Sequence, residues 1–218
     1  MVDPFQVTRK ALVLFFLGFP IIVAALTGFL SLGLGNLGMF FLFLGHALAV
    51  PLGTGILHLF TQFMPGSKMH ASDVGQLVPS VPYTSPTFNV YPSYWVAHTV
   101  FFFAYLFANA LDVYLMPPIS DSPADEWRVE NRKARTSMMM LVTCFMLLFM
   151  LALRYIITNT ENIMGILLGF GVFGAVGGGW YLLAKQAGAR RGDVFGIVQQ
   201  MVPIVENTNI TMCTPAPA

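Results

Sequence analysis

Five apolar stretches, each long enough to cross a bilayer, constrain this chain more than any other feature: 11–32, 37–60, 94–115, 136–157 and 162–184. A helix rises about 1.5 Å per residue, so a run of about 22 residues is about 33 Å long, the thickness of a hydrocarbon core. The interiors of these stretches carry almost no charge. The sequence therefore predicts an all-α, polytopic transmembrane helical bundle of five spans, forming a single membrane domain over 1–218.

The rest of the composition agrees. The chain is 56% hydrophobic and 10% charged, with mean hydropathy +0.70, too few charges to cover a soluble globule of 218 residues. A formal net charge of +1 gives nucleic acid nothing to bind. Cys144 falls mid-span and Cys213 in the tail, so neither a disulfide framework nor a thiolate metal site is expected. Arg9 and Lys10 precede the first span as they would a signal peptide, but the run is too long and has no small-residue exit. It reads as an anchor that stays.

Spans one and two are joined by Gly33-Leu34-Gly35-Asn36, which suits a tight antiparallel hairpin. Gly45, Ala49 and Gly53 place a flat strip on the second helix. The fifth carries Gly165, Gly169, Gly171, Gly174, Gly177, Gly178 and Gly179, which put small residues on more than one face, so both helices are expected to pack closely against others, the fifth from several directions. The fourth, with Met138, Met139, Met140, Phe145, Met146 and Phe149, is bulky all round and is expected to face lipid.

Two polar connections separate the spans. The loop 61–93 is rich in proline and serine and reads as a cap or partner-binding segment. The loop 116–135 turns charged after Pro117-Pro118 and predicts a short surface helix, started by Ser120 or Ser122, leading into span four. In the tail, 185–218, Asp193 and Pro203 bracket a second short helix with Val194, Ile197, Val198 and Met201 on one face. Five spans place the N-terminus, loop 61–93 and the turn near Asn159 on one side of the membrane, side A. Loop 116–135 and the tail lie on side B, which carries more lysine and arginine and is expected to be cytosolic. Arg9 and Lys10 oppose this, and the sequon at Asn209 would require side B to be luminal.

Ionisable groups near spans are costly and often functional. His58, His70, Asp73, His98 and Arg154 all fall toward side A and could together hold a phosphate or a metal. No HxxxH, HExxH or paired-carboxylate spacing focuses these groups, so His58, His98 and Arg154 are expected instead to snorkel into water at the headgroup boundary. His46 is deeper, about ten residues from side B, and with His98 or His58 meets the minimum for bis-imidazole haem ligation. Chance and interhelical hydrogen bonding give the same pattern. Asp112, one turn after Asn109, is expected to bond a neighbouring helix or reach the interface.

Two resemblances add to this. Tyr91-Pro92-Ser93-Tyr94-Trp95-Val96-Ala97-His98 resembles the type-2 phosphatidic acid phosphatases, which carry Pro-Ser-Gly-His at a helix start and an arginine, histidine and aspartate on the same membrane face. Pro92, Ser93 and Arg154 fit. No glycine-histidine follows Ser93 and no histidine nucleophile follows Arg154, so the resemblance implies at most a non-catalytic relative. In the last fifth, Gly177-Gly178-Gly179-Trp180-Tyr181, Asp193-Val194-Phe195-Gly196 and Met212-Cys213-Thr214-Pro215 resemble the ends of multi-pass inner-membrane proteins of large icosahedral DNA viruses. That resemblance implies a virion membrane protein whose loops tie the bilayer to a protein shell.

The preferred expectation is thus a non-enzymatic scaffold or assembly subunit, without cofactor, whose partners are the bilayer and other subunits of a larger assembly. The alternative is an enzyme or transporter with its phosphate or metal site on side A.

Overall fold

The computed structural model describes residues 4–61, 92–117, 123–158, 163–189 and 194, with side chains from Phe15 onward except at 17, 58, 61, 123–126, 157 and 158. Every regular element among them is a helix: α1 (Pro4–Leu34), α2 (Leu37–Leu44), a π-helical turn (Gly45–Ala49), α3 (Val50–Thr61), α4 (Tyr94–Tyr114), α5 (Pro123–Thr158) and α6 (Ile163–Gln186). Helices meet the main demand of a bilayer, because each backbone polar group finds its partner inside the element. Four stretches are long and apolar enough to cross a membrane: Leu37–Leu57, Tyr94–Tyr114, Trp127–Ile156 and Ile163–Gln186. The fifth expected span lies in α1, whose described apolar part, Gly18–Leu34, is shorter than a full crossing.

Local chemistry sets the element ends. Gly35 takes a left-handed φ of 62°, and the Asn36 side chain then accepts the Met39 N–H at 2.9 Å to start α2. The expected hairpin between α1 and α2 results. Ser93 caps α4 by accepting the Val96 N–H at 3.2 Å. Gly188, with φ 99°, ends α6 in a Schellman turn, in which Ala189 N–H donates to Ala184 at 3.0 Å and Gly188 N–H to Lys185 at 3.2 Å. The expected surface helix before span four is not separate. It is the first part of α5, one continuous helix of 36 residues, with Pro123 in the first turn, where its missing N–H costs nothing. The tail helix expected from Asp193 falls outside the described residues, apart from Val194, which packs against the core.

The bundle is organised around α4, 67% of whose span is buried, against 22% to 28% for the other three. Trp95, Val96, Val100, Phe101 and Tyr105 are all buried on it. It packs most extensively on α6 and α5. The buried face of α6 repeats every four residues: Gly165, Gly169, Phe173, Gly177 and Tyr181. A Cβ at Gly177 would stand 2.7 Å from the Phe101 carbonyl oxygen, and one at Gly169 would stand 2.8 Å from Val96 Cγ1. Gly45 lies against the Phe101 ring and Gly53 against Phe173, while Ala49 is buried. Gly174 and Gly178 correct the expectation, since nothing lies within 4 Å of a Cβ at either. The helical period makes Gly177 the close-contact residue, and its neighbour Gly178 turns about 100° away. As expected, α5 turns Met138, Leu141, Phe145, Leu148 and Ile156 outward.

Two prolines inside helices shape the packing. Pro20 has no N–H, so the carbonyl of Phe16, one turn earlier, lacks its usual helical donor. Trp95 Nε1 supplies one instead, at 3.0 Å, and ties α4 to α1. Pro51 likewise cannot reach the Ala47 carbonyl. The helix widens just before it, and Val50 N–H reaches back five residues to Gly45, closing the π-turn. Two more aromatic donors bridge helices: Trp180 Nε1 to the Phe41 carbonyl at 2.7 Å and Tyr105 OH to the Gly38 carbonyl at 2.9 Å.

Candidate functional site

A histidine pair lies buried inside the bundle. His46 sits on the π-turn and His98 one turn into α4; both are buried, and their Nδ1 atoms are 2.9 Å apart. The rings are nearly parallel, at 13° with centroids 5.2 Å apart. Gly45 makes this approach possible, because the Phe101 ring fills the space a side chain would need. Phe101 then stands edge-on to His46 at 5.3 Å, and Tyr94 lies 5.7 Å from His98. In such a contact one neutral ring donates from Nδ1 and the other accepts. His46 Nε2, also buried, has no hydrogen-bond partner.

Of the two readings of the pair, haem ligation and an interhelical hydrogen bond, the geometry matches the second. The rings touch each other directly, and a macrocycle cannot lie between nitrogens 2.9 Å apart. It also corrects the separate placement of the two residues, one deep and one at the boundary.

Arg154 was expected to snorkel into water, yet it is fully buried. Its guanidinium lies over the Trp95 ring, 5.3 Å from the centroid, and Phe16 stacks obliquely on the same indole at 4.9 Å. Guanidinium is weakly hydrated and stacks well on aromatic faces, so Trp95 is a favourable neighbour. His98 departs from the snorkelling expectation in the same way, being turned to His46.

The side A cluster is therefore only partly visible. His98 and Arg154 have separate partners. His58 lies in α3 with its side chain outside the description, and His70 and Asp73 fall outside the described residues. Among the described residues, no three histidine, cysteine or acidic side chains come together as metal ligands. Pro92 and Ser93, which carried the phosphatase resemblance, are both buried; Pro92 packs on Gly169 and Ser93 caps α4.

Toward side B, Asp112 bonds a neighbouring helix as expected. Its carboxylate accepts from Lys185 Nζ at 2.8 Å and from Tyr181 OH at 2.9 Å, both on α6. Arg132 Nη2 donates to the Met116 carbonyl, which holds the start of α5 to the end of α4. Sequence reasoning passed over the Asp112–Lys185 bond, although both residues lie near the side B ends of their helices.

An apolar cleft in the bundle has a different character. It holds about 360 Å³ between α4, α5 and α6, and its walls include Phe107, Leu111, Leu147, Phe170, Gly174 and Gly178. Of its two polar-bearing lining residues, Thr143 donates its hydroxyl to the Met139 carbonyl at 2.7 Å, and Cys144 is a free thiol. No titratable pair faces it. No family model, curated protein or solved structure matches the chain.

Proposed function

We propose that this protein is a non-enzymatic, five-span membrane subunit that acts as a scaffold in a larger membrane-associated assembly. One observation carries the reading: His46, His98, Arg154, Asp112 and Lys185 bind or stack on other helices, while the cleft between α4, α5 and α6 is apolar. A catalytic or transport site needs polar groups that converge on space a substrate can occupy. His46, His98, Arg154, Asp112 and Lys185 instead fasten α4 to its neighbours or stack on it. On the resemblance of the last fifth of the chain, the assembly is a virion inner membrane held to a protein shell, with the loops and tail as its points of attachment.

The test is extraction in a mild detergent followed by size-exclusion chromatography and identification of the co-eluting chains. The subunit is expected to elute with other proteins, and His98→Ala and Arg154→Ala are expected to leave that assembly in place. A solitary monomer that hydrolyses a phosphate monoester, with turnover lost in His98→Ala, would replace the scaffold reading with the enzymatic one.

A further inference from the structure

The apolar cleft runs along α4 from Val100 to Leu111. Counted from Tyr94, these residues lie about 9 Å and about 26 Å into the span, so the whole cleft sits within a hydrocarbon core of about 30 Å. Its rim is exposed at Leu148 and Phe170. The medium that meets the opening at this depth is therefore lipid tails.

The cleft's dimensions select the occupant. The eleven helical steps from Val100 to Leu111 give a length of about 16 Å, close to the half-thickness of the core, which is the reach of one leaflet's chains. A volume of about 360 Å³ spread over that length makes a narrow groove along which a single hydrocarbon chain can lie. Its length and its depth in the hydrocarbon core match one such chain. Gly174 and Gly178 form one wall, and since no atom lies within 4 Å of a Cβ at either, their bare backbone faces open space. Thr143 is already bonded within its own helix, which leaves a surface suited to hydrocarbon.

We propose that the cleft between α4, α5 and α6 is a binding seat for one acyl chain of a membrane phospholipid. The bound chain fills the space between three helices and so becomes part of the packed bundle. Dispersion contacts that an empty cleft forfeits are supplied by the lipid. The two glycines serve to keep the seat open.

The experiment is native mass spectrometry of the full-length protein, purified from membranes in mild detergent and stripped of loosely held lipid. Wild type is expected to retain one phospholipid per chain. Gly174→Leu and Gly178→Leu place side chains in the cleft, and their lipid-bound fraction is expected to fall about tenfold. Gly179→Leu, which also has open space at its Cβ but is not part of the cleft lining, is expected to retain lipid. Cys144→Phe fills the cleft from α5 and serves if a glycine variant does not fold. The proposal is overturned if wild type retains no phospholipid, or if the filling variants retain as much as wild type. A dimer whose mass is lost in Gly178→Leu would assign the cleft to a second copy and overturn it equally.

Discussion

At the scale of single residues, the contact between His46 and His98 is a bond between two buried rings in which each nitrogen needs the other. With Nδ1 atoms 2.9 Å apart, replacing either ring leaves its partner's Nδ1 buried and unmatched, a cost of about 1–3 kcal/mol. Replacing both removes the demand together with the bond. We therefore expect His46→Leu and His98→Leu each to destabilise the bundle, and the double variant to lose less than the sum. The coupling should be about 0.6–1.7 kcal/mol, the range for interhelical hydrogen bonds in membranes. Equilibrium unfolding in mixed micelles measures it, and additive losses would show that the contact contributes nothing. Trp95 supports a second cycle. Its indole N–H serves a carbonyl that Pro20 has left without a helical donor. Trp95→Phe should cost about 1 kcal/mol in the native background and less beside Pro20→Ala, which restores the missing N–H. An equal cost in both backgrounds would mean that the proline does not create the need for Trp95.

At the scale of helices, position along α6 decides what a side chain does. Gly177→Ala puts a methyl 2.7 Å from a backbone oxygen of α4, and that backbone cannot yield without moving the central helix. A loss of about 1–3 kcal/mol is expected, typical of overpacking. Gly178→Ala meets nothing within 4 Å and should be neutral, or stabilising by up to about 1 kcal/mol from helix propensity. Thermal unfolding of the two variants in the same detergent makes the comparison, and similar behaviour would contradict the assigned face. The sequence showed that α6 is rich in glycine, but the choice among faces depends on a phase only the neighbours set. Gly169 and Gly177 meet α4, whereas Gly174 and Gly178 lie on a different face. The hairpin at Gly35-Asn36 was legible because turn chemistry is local. The π-turn was not, although Pro51 signals a disturbed helix before it. The histidine pair was legible only as one combination among several, because two residues 52 positions apart are brought together by helix packing and not by local sequence. The central role of α4 was equally hidden, since burial among helices and burial in lipid both select apolar residues.

At the scale of the whole molecule, α1 decides the topology. Its outward residues Ile21, Leu26, Phe29 and Leu32 are exposed, and in water they would form an apolar patch that soluble proteins avoid. Hydrocarbon accommodates them, and the apolar run extends back to Ala11 in the sequence, long enough to cross. The five-span proposal and a four-span arrangement agree that loop 61–93 and the tail lie on opposite sides. They differ only over the N-terminus. If α1 crosses, the N-terminus shares a side with the loop; if α1 lies along the surface, it shares a side with the tail. Single cysteines at Thr8→Cys, Ser72→Cys and the native Cys213, each with the other native cysteines replaced, separate the cases by labelling sealed vesicles with a membrane-impermeant maleimide. Thr8→Cys and Ser72→Cys are expected to react from one side and Cys213 from the other. Reaction of Thr8→Cys together with Cys213 would reduce the spans to four, and α1 would then be an interfacial helix pinned to the bundle through the bond from Trp95 to Phe16.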